Sequence, residues 1–190
     1  CMKRKDRSPL TFNVAQLLRE PIGARRQHEF SGEVLPLHDS EVFHDIHGQT
    51  HFTRTLDGVY VKCTAAGRVT TQCVRCLQPA LIAVAIDFVE EFIATVDVNT
   101  GATLAKPDDD DVFLIDEHHM LDLGIAVREY ALLEIPLNPH CKDDCRGLCT
   151  GCGVDLNNEV CRCHAEPTDE RFAALKALLK QSSANEPRME

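Results

Sequence analysis

Asp57-Gly58-Val59-Tyr60-Val61-Lys62-Cys63-Thr64 is the stretch whose reading decides the fold. Asp-Gly is a strong short-range hairpin signal, and a β-rich run follows it directly. Before the turn, Ile46 to Leu56 carries Thr and aromatic residues and reads as a strand. After it, Gly67 reads as a break, Arg68 to Cys73 as strand again, and Cys73-Val74-Arg75-Cys76-Leu77-Gln78-Pro79 as a tight connection. Leu81 to Phe92 is then a long apolar strand. Upstream, Arg26 to Leu37 turns toward strand until Pro36 interrupts it. The expectation is an antiparallel meander over residues 26–95.

Helical signals flank the meander. Asn13 can cap a short helix over Val14 to Arg19, which Pro21 and Gly23 end. Leu121, Ile125, Tyr130, Leu132 and Leu133 stand at near-helical spacing, with Asp122 as a start and Pro136 as a stop. Thr168 can cap a last helix with Phe172, Leu175, Leu178 and Leu179 as its apolar stripe. The predicted class is α+β: an antiparallel sheet, helices packed on it, and a C-terminal Cys-rich zinc-binding module. The expected domains are a β-rich part with flanking helices (1–135), the Cys-rich module with its terminal helix (136–181), and a frayed tail (182–190).

Charge excludes some functions. The chain of 190 residues has a formal net charge of −10. Residues 87–122 hold one basic and eleven acidic side chains, which is the whole deficit. A generally basic nucleic-acid surface is therefore ruled out, since phosphate neutralisation needs clustered Lys and Arg. Residues 1–30, with seven basic and three acidic side chains, leave room only for a local basic arm. No uninterrupted apolar run approaches transmembrane length. The basic start, Met2-Lys3-Arg4-Lys5, leads into no apolar h-region, so a secretory signal is not expected.

Cysteine is the most informative residue type. Of ten Cys, eight form close pairs: Cys73-x2-Cys76, Cys141-x3-Cys145, Cys149-x2-Cys152 and Cys161-x-Cys163. In a cytoplasmic, reducing setting such pairs read as metal ligands or redox centres rather than as a disulfide framework. In Cys149-Thr150-Gly151-Cys152-Gly153 the spacing is that of a zinc knuckle: the turn aims backbone N–H groups at the sulfurs, and Gly153 permits a positive φ. Residues 136–167 have few large apolar groups, so this segment needs a cross-link in place of a core. The candidate ligands of a structural zinc are Cys141, Cys145, Cys149, Cys152, Cys161 and Cys163. Six thiols are too many for one ion: either one pair is spare or two ions share bridging sulfurs. The preferred reading is one zinc on Cys149 and Cys152 plus two others; a redox dithiol or an iron–sulfur cluster are the alternatives. Cys73 and Cys76 form a possible second dithiol, read as a β-turn with two small hydrophobes, as half of a metal site completed from elsewhere, or as a redox pair.

Nothing in the chain nominates an enzyme. His118-His119 reads as a solvated loop end, and Asp108 to Asp111 as a solvated acidic run without calcium-loop spacing. No His-Glu-x-x-His, phosphate-binding Gly loop or Gly-x-Ser-x-Gly is present.

Several motifs together resemble the YceD family, bacterial proteins of large-subunit (23S) ribosomal RNA accumulation with plant plastid relatives. They are Val14-Ala15-Gln16-Leu17-Leu18 with Pro21-Ile22-Gly23, Cys73-Val74-Arg75-Cys76-Leu77 with Pro79, and Asp122-Leu123 opening a helix that ends at Glu134-Ile135-Pro136-Leu137. Cys145-Arg146-Gly147-Leu148-Cys149 through Asn157, then Cys161-x-Cys163 and Asp169-x-Arg171, complete the match. Glu170 stands where the family usually has Pro. The resemblance implies a non-enzymatic, cytoplasmic role in 23S rRNA accumulation, processing or large-subunit assembly. The partner would be ribosomal RNA or an assembly protein, with no membrane and no small-molecule substrate. Some family members lack most of the C-terminal cysteines, which makes the zinc module an elaboration of the shared role. The acidic balance favours a protein partner; should RNA be touched directly, Lys3, Arg4, Lys5, Arg25, Arg26 and Arg75 are the expected phosphate contacts. The alternative function is a cytosolic thiol redox or metal-sensing protein.

Overall fold

The structure, a computed structural model, describes residues 8–38, 41–105 and 112–163. The expected helix from Thr168, the tail, Lys3 to Lys5 and Asp108 to Asp111 lie outside the described residues. The chain divides into two compact units, 1–146 and 147–190.

The first unit is built on a seven-stranded sheet. In chain order its elements are β1 (Thr11–Asn13), α1 (Ala15–Arg19), β2 (Arg25–Pro36), β3 (Val42–Arg54), β4 (Gly58–Gln72), β5 (Pro79–Ala94), β6 (Phe113–Ile115), β7 (Met120–Asp122) and α2 (Leu123–Glu134). Strands lie in the order β1-β7-β6-β5-β4-β3-β2. The meander β2 to β5 is antiparallel throughout. The all-antiparallel expectation fails at one place: β5 and β6 run parallel, Phe92 beside Phe113, so the sheet is mixed. A parallel neighbour needs a long crossover, and the chain between β5 and β6 has the length for it.

The Asp57-Gly58 turn stands where expected, but for a different reason. Gly58 lacks the positive φ of a primed turn; instead a Cβ there would collide with the Phe92 carbonyl across the strand pair. Gly67 does not break the chain either. It lies inside β4, where a Cβ would come within 2.6 Å of the His44 carbonyl oxygen and 2.7 Å of the Phe43 ring. Close approach, not a turn, selects glycine here.

Alternation puts Val59, Val61, Cys63 and Ala65 of β4 and Val84, Ile86, Phe88 and Phe92 of β5 into one core. On β3 the buried side chains shift parity, from Phe52, Thr50 and Ile46 to Phe43. An irregularity at Asp45, with φ 52°, absorbs the extra residue, and Gly32 (φ 79°) marks the matching shift on β2. These bulges curl the sheet. Its two edge strands approach through side chains: Phe12 of β1 lies 5.1 Å from the His28 ring of β2, and both meet Phe52 at 5.3 and 5.2 Å.

Helix packing is limited. Asp122 caps α2 by accepting from Gly124 N at 3.0 Å. The buried face of α2 is Leu123, Ala126, Val127 and Ala131, while Ile125 and Leu133 are exposed, so the expected stripe is displaced. Alanines let the helix approach the sheet; Tyr130 stacks on Phe88 at 4.5 Å and donates to Glu90 Oε1 at 2.5 Å. α1 starts at Ala15, with Val14 rather than Asn13 at its N-cap and no side-chain cap; the Asn13 side chain accepts from Ala15 N just before it. Arg54 then ties the helix to the β3–β4 turn by donating to Leu18 O, Leu56 O and Gly58 O. No helix among the described residues is long and apolar enough to cross a membrane.

Candidate metal centres

The structure groups eight cysteines into two sets of four. Cys73, Cys76, Cys141 and Cys145 form the first, and Cys149, Cys152, Cys161 and Cys163 the second; within each set all sulfurs lie within 4.8 Å of one another. The preferred sequence reading is one zinc on Cys149 and Cys152 plus two others; the geometry offers two four-sulfur groups, each of which could hold a metal ion. Cys141 and Cys145 group with Cys73 and Cys76 of the β4–β5 turn.

The first group is assembled across the chain. Cys73 follows the last residue of β4 and Cys76 lies in the turn before β5. Cys141 and Cys145 come from the segment that leaves α2 through Pro136 and Pro139. Val74 N donates to Pro139 O at 3.0 Å and Arg75 Nη1 to Cys145 O at 3.0 Å, pinning that segment on the turn. The sulfur separations are 3.8 Å for Cys73 and Cys145 and 3.5 Å for Cys76 and Cys141. Cys73, Cys76 and Cys145 are buried.

The second group is local to the second unit. Cys149 and Cys161 are 3.2 Å apart, Cys152 and Cys161 3.8 Å, and Cys163 N donates to Cys161 Sγ. Cys152 and Cys163 are exposed. The Asp155 carboxylate gathers the intervening loop by accepting from Asn157 N and the Asn157 and Asn158 side-chain amides.

The same local structure recurs at both Cys-x2-Cys turns. Gly153 N donates to Cys149 O and Cys149 N to Val154 O; Leu77 N donates to Cys73 O and Cys73 N to Gln78 O, all at 2.8–2.9 Å. Gly153 has φ 73°, as its position after the second Cys requires, and Leu77 holds the equivalent place at φ 60°. Of the readings of Cys73 and Cys76, half of a metal site completed from elsewhere fits this grouping, although leucine stands where a knuckle normally has glycine.

These turns act on the sulfurs electrostatically. The Cys73 thiol is held down at about 6 by the backbone hydrogen bond from Cys76, then, against the opposing effect of burial, by those from Cys141 and Arg75. Cys149 is likewise held down at about 6 by backbone hydrogen bonds from Cys152 and Gly151. Cys141 is pushed up to about 12, first by its hydrogen bond with the Cys76 sulfur and next by burial; Cys163 is pushed up to about 12 by its hydrogen bonds with the Cys152 and Cys161 sulfurs, and then by burial. Each group thus holds one sulfur whose ionisation the turn favours and another whose ionisation its neighbours oppose. A divalent cation resolves that conflict. A tetrahedral ion with Zn–S of about 2.3 Å sets its sulfurs about 3.8 Å apart, and both groups have spacings of this order. Four thiols also close the coordination shell, leaving no position for water or substrate.

The other expected site residues are dispersed. Arg26 pairs with Glu20, and Arg75 is engaged at Cys145. Arg25 is exposed on β2. His118 is exposed beside Glu117. Cys63 joins neither group; it is buried under β4, and that burial, with Asp87 nearby, pushes its thiol up to about 12.

Comparison with known proteins places the chain. The family model described as large ribosomal RNA subunit accumulation protein YceD matches residues 61–179. A protein of Mycobacterium tuberculosis, named only as uncharacterised, is 31% identical over 183 residues, covering 93% of this chain and 84% of the relative. A chloroplastic YCED homolog 1 of Zea mays, named for large ribosomal RNA subunit accumulation, is 30% identical over 135 residues, 59% of this chain and 46% of the relative. The Arabidopsis thaliana protein of the same name is 32% identical over 66 residues, 35% of this chain and 21% of that protein. No solved structure matches the chain.

Proposed function

The chain belongs to the YceD family, and we propose from that premise that it supports accumulation of the large-subunit (23S) ribosomal RNA in the cytoplasm, as a binding factor and not as an enzyme. Each group of four thiols holds one structural zinc ion. The observation that carries this reading is the pair of closed four-sulfur groups in a chain matched by the YceD model: closed all-thiolate sites organise a surface and leave no place for a substrate. Arg26 and Arg75, two of the cations available for phosphate, are already engaged within the protein. Together with the net charge of −10, this favours a basic protein of large-subunit assembly as the direct partner, through which the rRNA is protected.

Depletion of the protein should lower mature 23S rRNA relative to 16S rRNA, and re-expression should restore it. An unchanged ratio would contradict the role. Filter binding of 23S rRNA fragments across a salt series separates the routes. Tight binding that weakens steeply with salt would make RNA the direct partner; its absence, with retention of a basic ribosomal protein, supports the protein route.

A further inference from the structure

The two thiol groups differ in what surrounds them. Three of the four sulfur-bearing residues of the first are buried, whereas Cys152 and Cys163 of the second are exposed and Cys149 and Cys161 half-buried. Among the described residues, the segment around the second group has little apolar support. Among described residues 147–163 no hydrophobic side chain is buried: Leu148, Val154 and Leu156 are half-buried, and Val160 is 87% exposed. An ion held there is reachable by small solutes, and among the described residues little besides such an ion holds the segment.

We propose that the second group is an oxidation site for hydroperoxides, with Cys152 the attacked sulfur and Cys161, 3.8 Å away, the sulfur that resolves it. The proposal rests on the zinc reading above. The Cys152 thiolate attacks one peroxide oxygen: an S–O bond forms, the O–O bond breaks, and the departing hydroxide takes a proton to become water. The Cys161 thiolate then attacks the sulfenic sulfur of Cys152; an S–S bond forms, the S–O bond breaks, and a second hydroxide leaves as water. Two sulfurs each lose one electron and hydrogen peroxide is reduced to two waters. Joining Cys152 to Cys161 would leave an ion there only Cys149 and Cys163 as ligands, too few to retain it. Burial protects the first group, whose ion stays and whose unit retains its own apolar core. The chain thus carries one permanent centre and one that oxidant empties.

The test uses the full zinc-loaded chain. Metal content is measured first, then hydrogen peroxide is added with a chromogenic chelator present, and cysteine states are mapped by alkylation and peptide mass spectrometry. The expected result is two ions at the start and release of one, about tenfold or more faster than the other. Release should be accompanied by a Cys152–Cys161 disulfide, with Cys73, Cys76, Cys141 and Cys145 still reduced. Equal release of both ions, prior loss of the first, or a second ion retained under peroxide would overturn the proposal while leaving the zinc reading intact. So would release with a different sulfur pairing. Fewer than two ions before any peroxide is added overturns the zinc reading, and the proposal with it.

Discussion

Leu77 and Gly153 occupy the same place in two like turns, and they make opposite predictions. A non-glycine residue in the left-handed region costs about 1–2 kcal/mol, and Gly153 sits there at φ 73°. Gly153→Ala should therefore weaken ion retention at the second group by about tenfold, a factor that corresponds to about 1.4 kcal/mol; chelator competition measures it. Leu77→Gly relieves the same strain at the first group and, with Leu77 about half exposed, should leave the unfolding midpoint unchanged or raise it. Protonation supplies a second test. In chelator-treated protein, where the first unit keeps its own core, the part of the thiolate ultraviolet absorbance that Cys73→Ser removes should rise through a midpoint near pH 6, where the Cys73 thiol ionises, and be lost below it. Cys141, whose thiol is pushed up to about 12, should stay protonated at neutral pH. A midpoint for Cys73 near the ordinary thiol value would show that the turn N–H groups do not act on it. At this scale the sequence was readable where a residue type has one job. The Gly153 conformation, the Asp122 cap and the knuckle spacing all followed from local chemistry. The assignment of Cys141 and Cys145 did not, because sulfur grouping depends on which turn the fold carries to them.

Among the elements, the long strands were legible and the short ones were not. The β3–β4–β5 meander announces itself by β-rich runs and turns. β1, β6 and β7, of three residues each, are too short for a period to show, and their pairing is set by the crossover after β5. Gly67 misled for a physical reason. Glycine signals a turn more often than a close approach, and only the neighbouring strand reveals which. Gly67→Ala should accordingly cost about 1–3 kcal/mol, the usual price of overpacking, since the carbonyl of His44 and the Phe43 ring bar the new methyl. Urea unfolding would detect it; an unchanged midpoint would mean that the two strands part easily there. The displaced stripe of α2 has a similar origin. Hydrophobicity pointed to Ile125 and Leu133, but closeness to β5 selects Ala126 and Ala131, whose small size admits the sheet.

For the whole molecule, the two units should answer differently to loss of metal. The first has a core of its own, from Phe43 and Phe52 to Phe92 and Leu121, so chelation should lower its melting temperature and leave its strand signal in circular dichroism. Described residues 147–163 have no buried hydrophobic side chain, and their amide protection should vanish with the ion. Hydrogen exchange read by mass spectrometry with and without chelator distinguishes the two; equal loss in both would contradict a self-supporting sheet. The broad architecture, a β meander with a Cys-rich end, was legible from composition and spacing alone. The mixed sheet and the link between the β4–β5 turn and the chain after α2 were not, because both join residues far apart in sequence. The central claim is that eight cysteines make two separate closed centres, and native mass spectrometry of the full chain tests it most directly. Two zinc ions per chain are expected, falling to one when Cys73 and Cys141 are both replaced by Ser, with the second ion untouched. A single ion in the unaltered chain, or none with the sulfurs joined as disulfides, would contradict it.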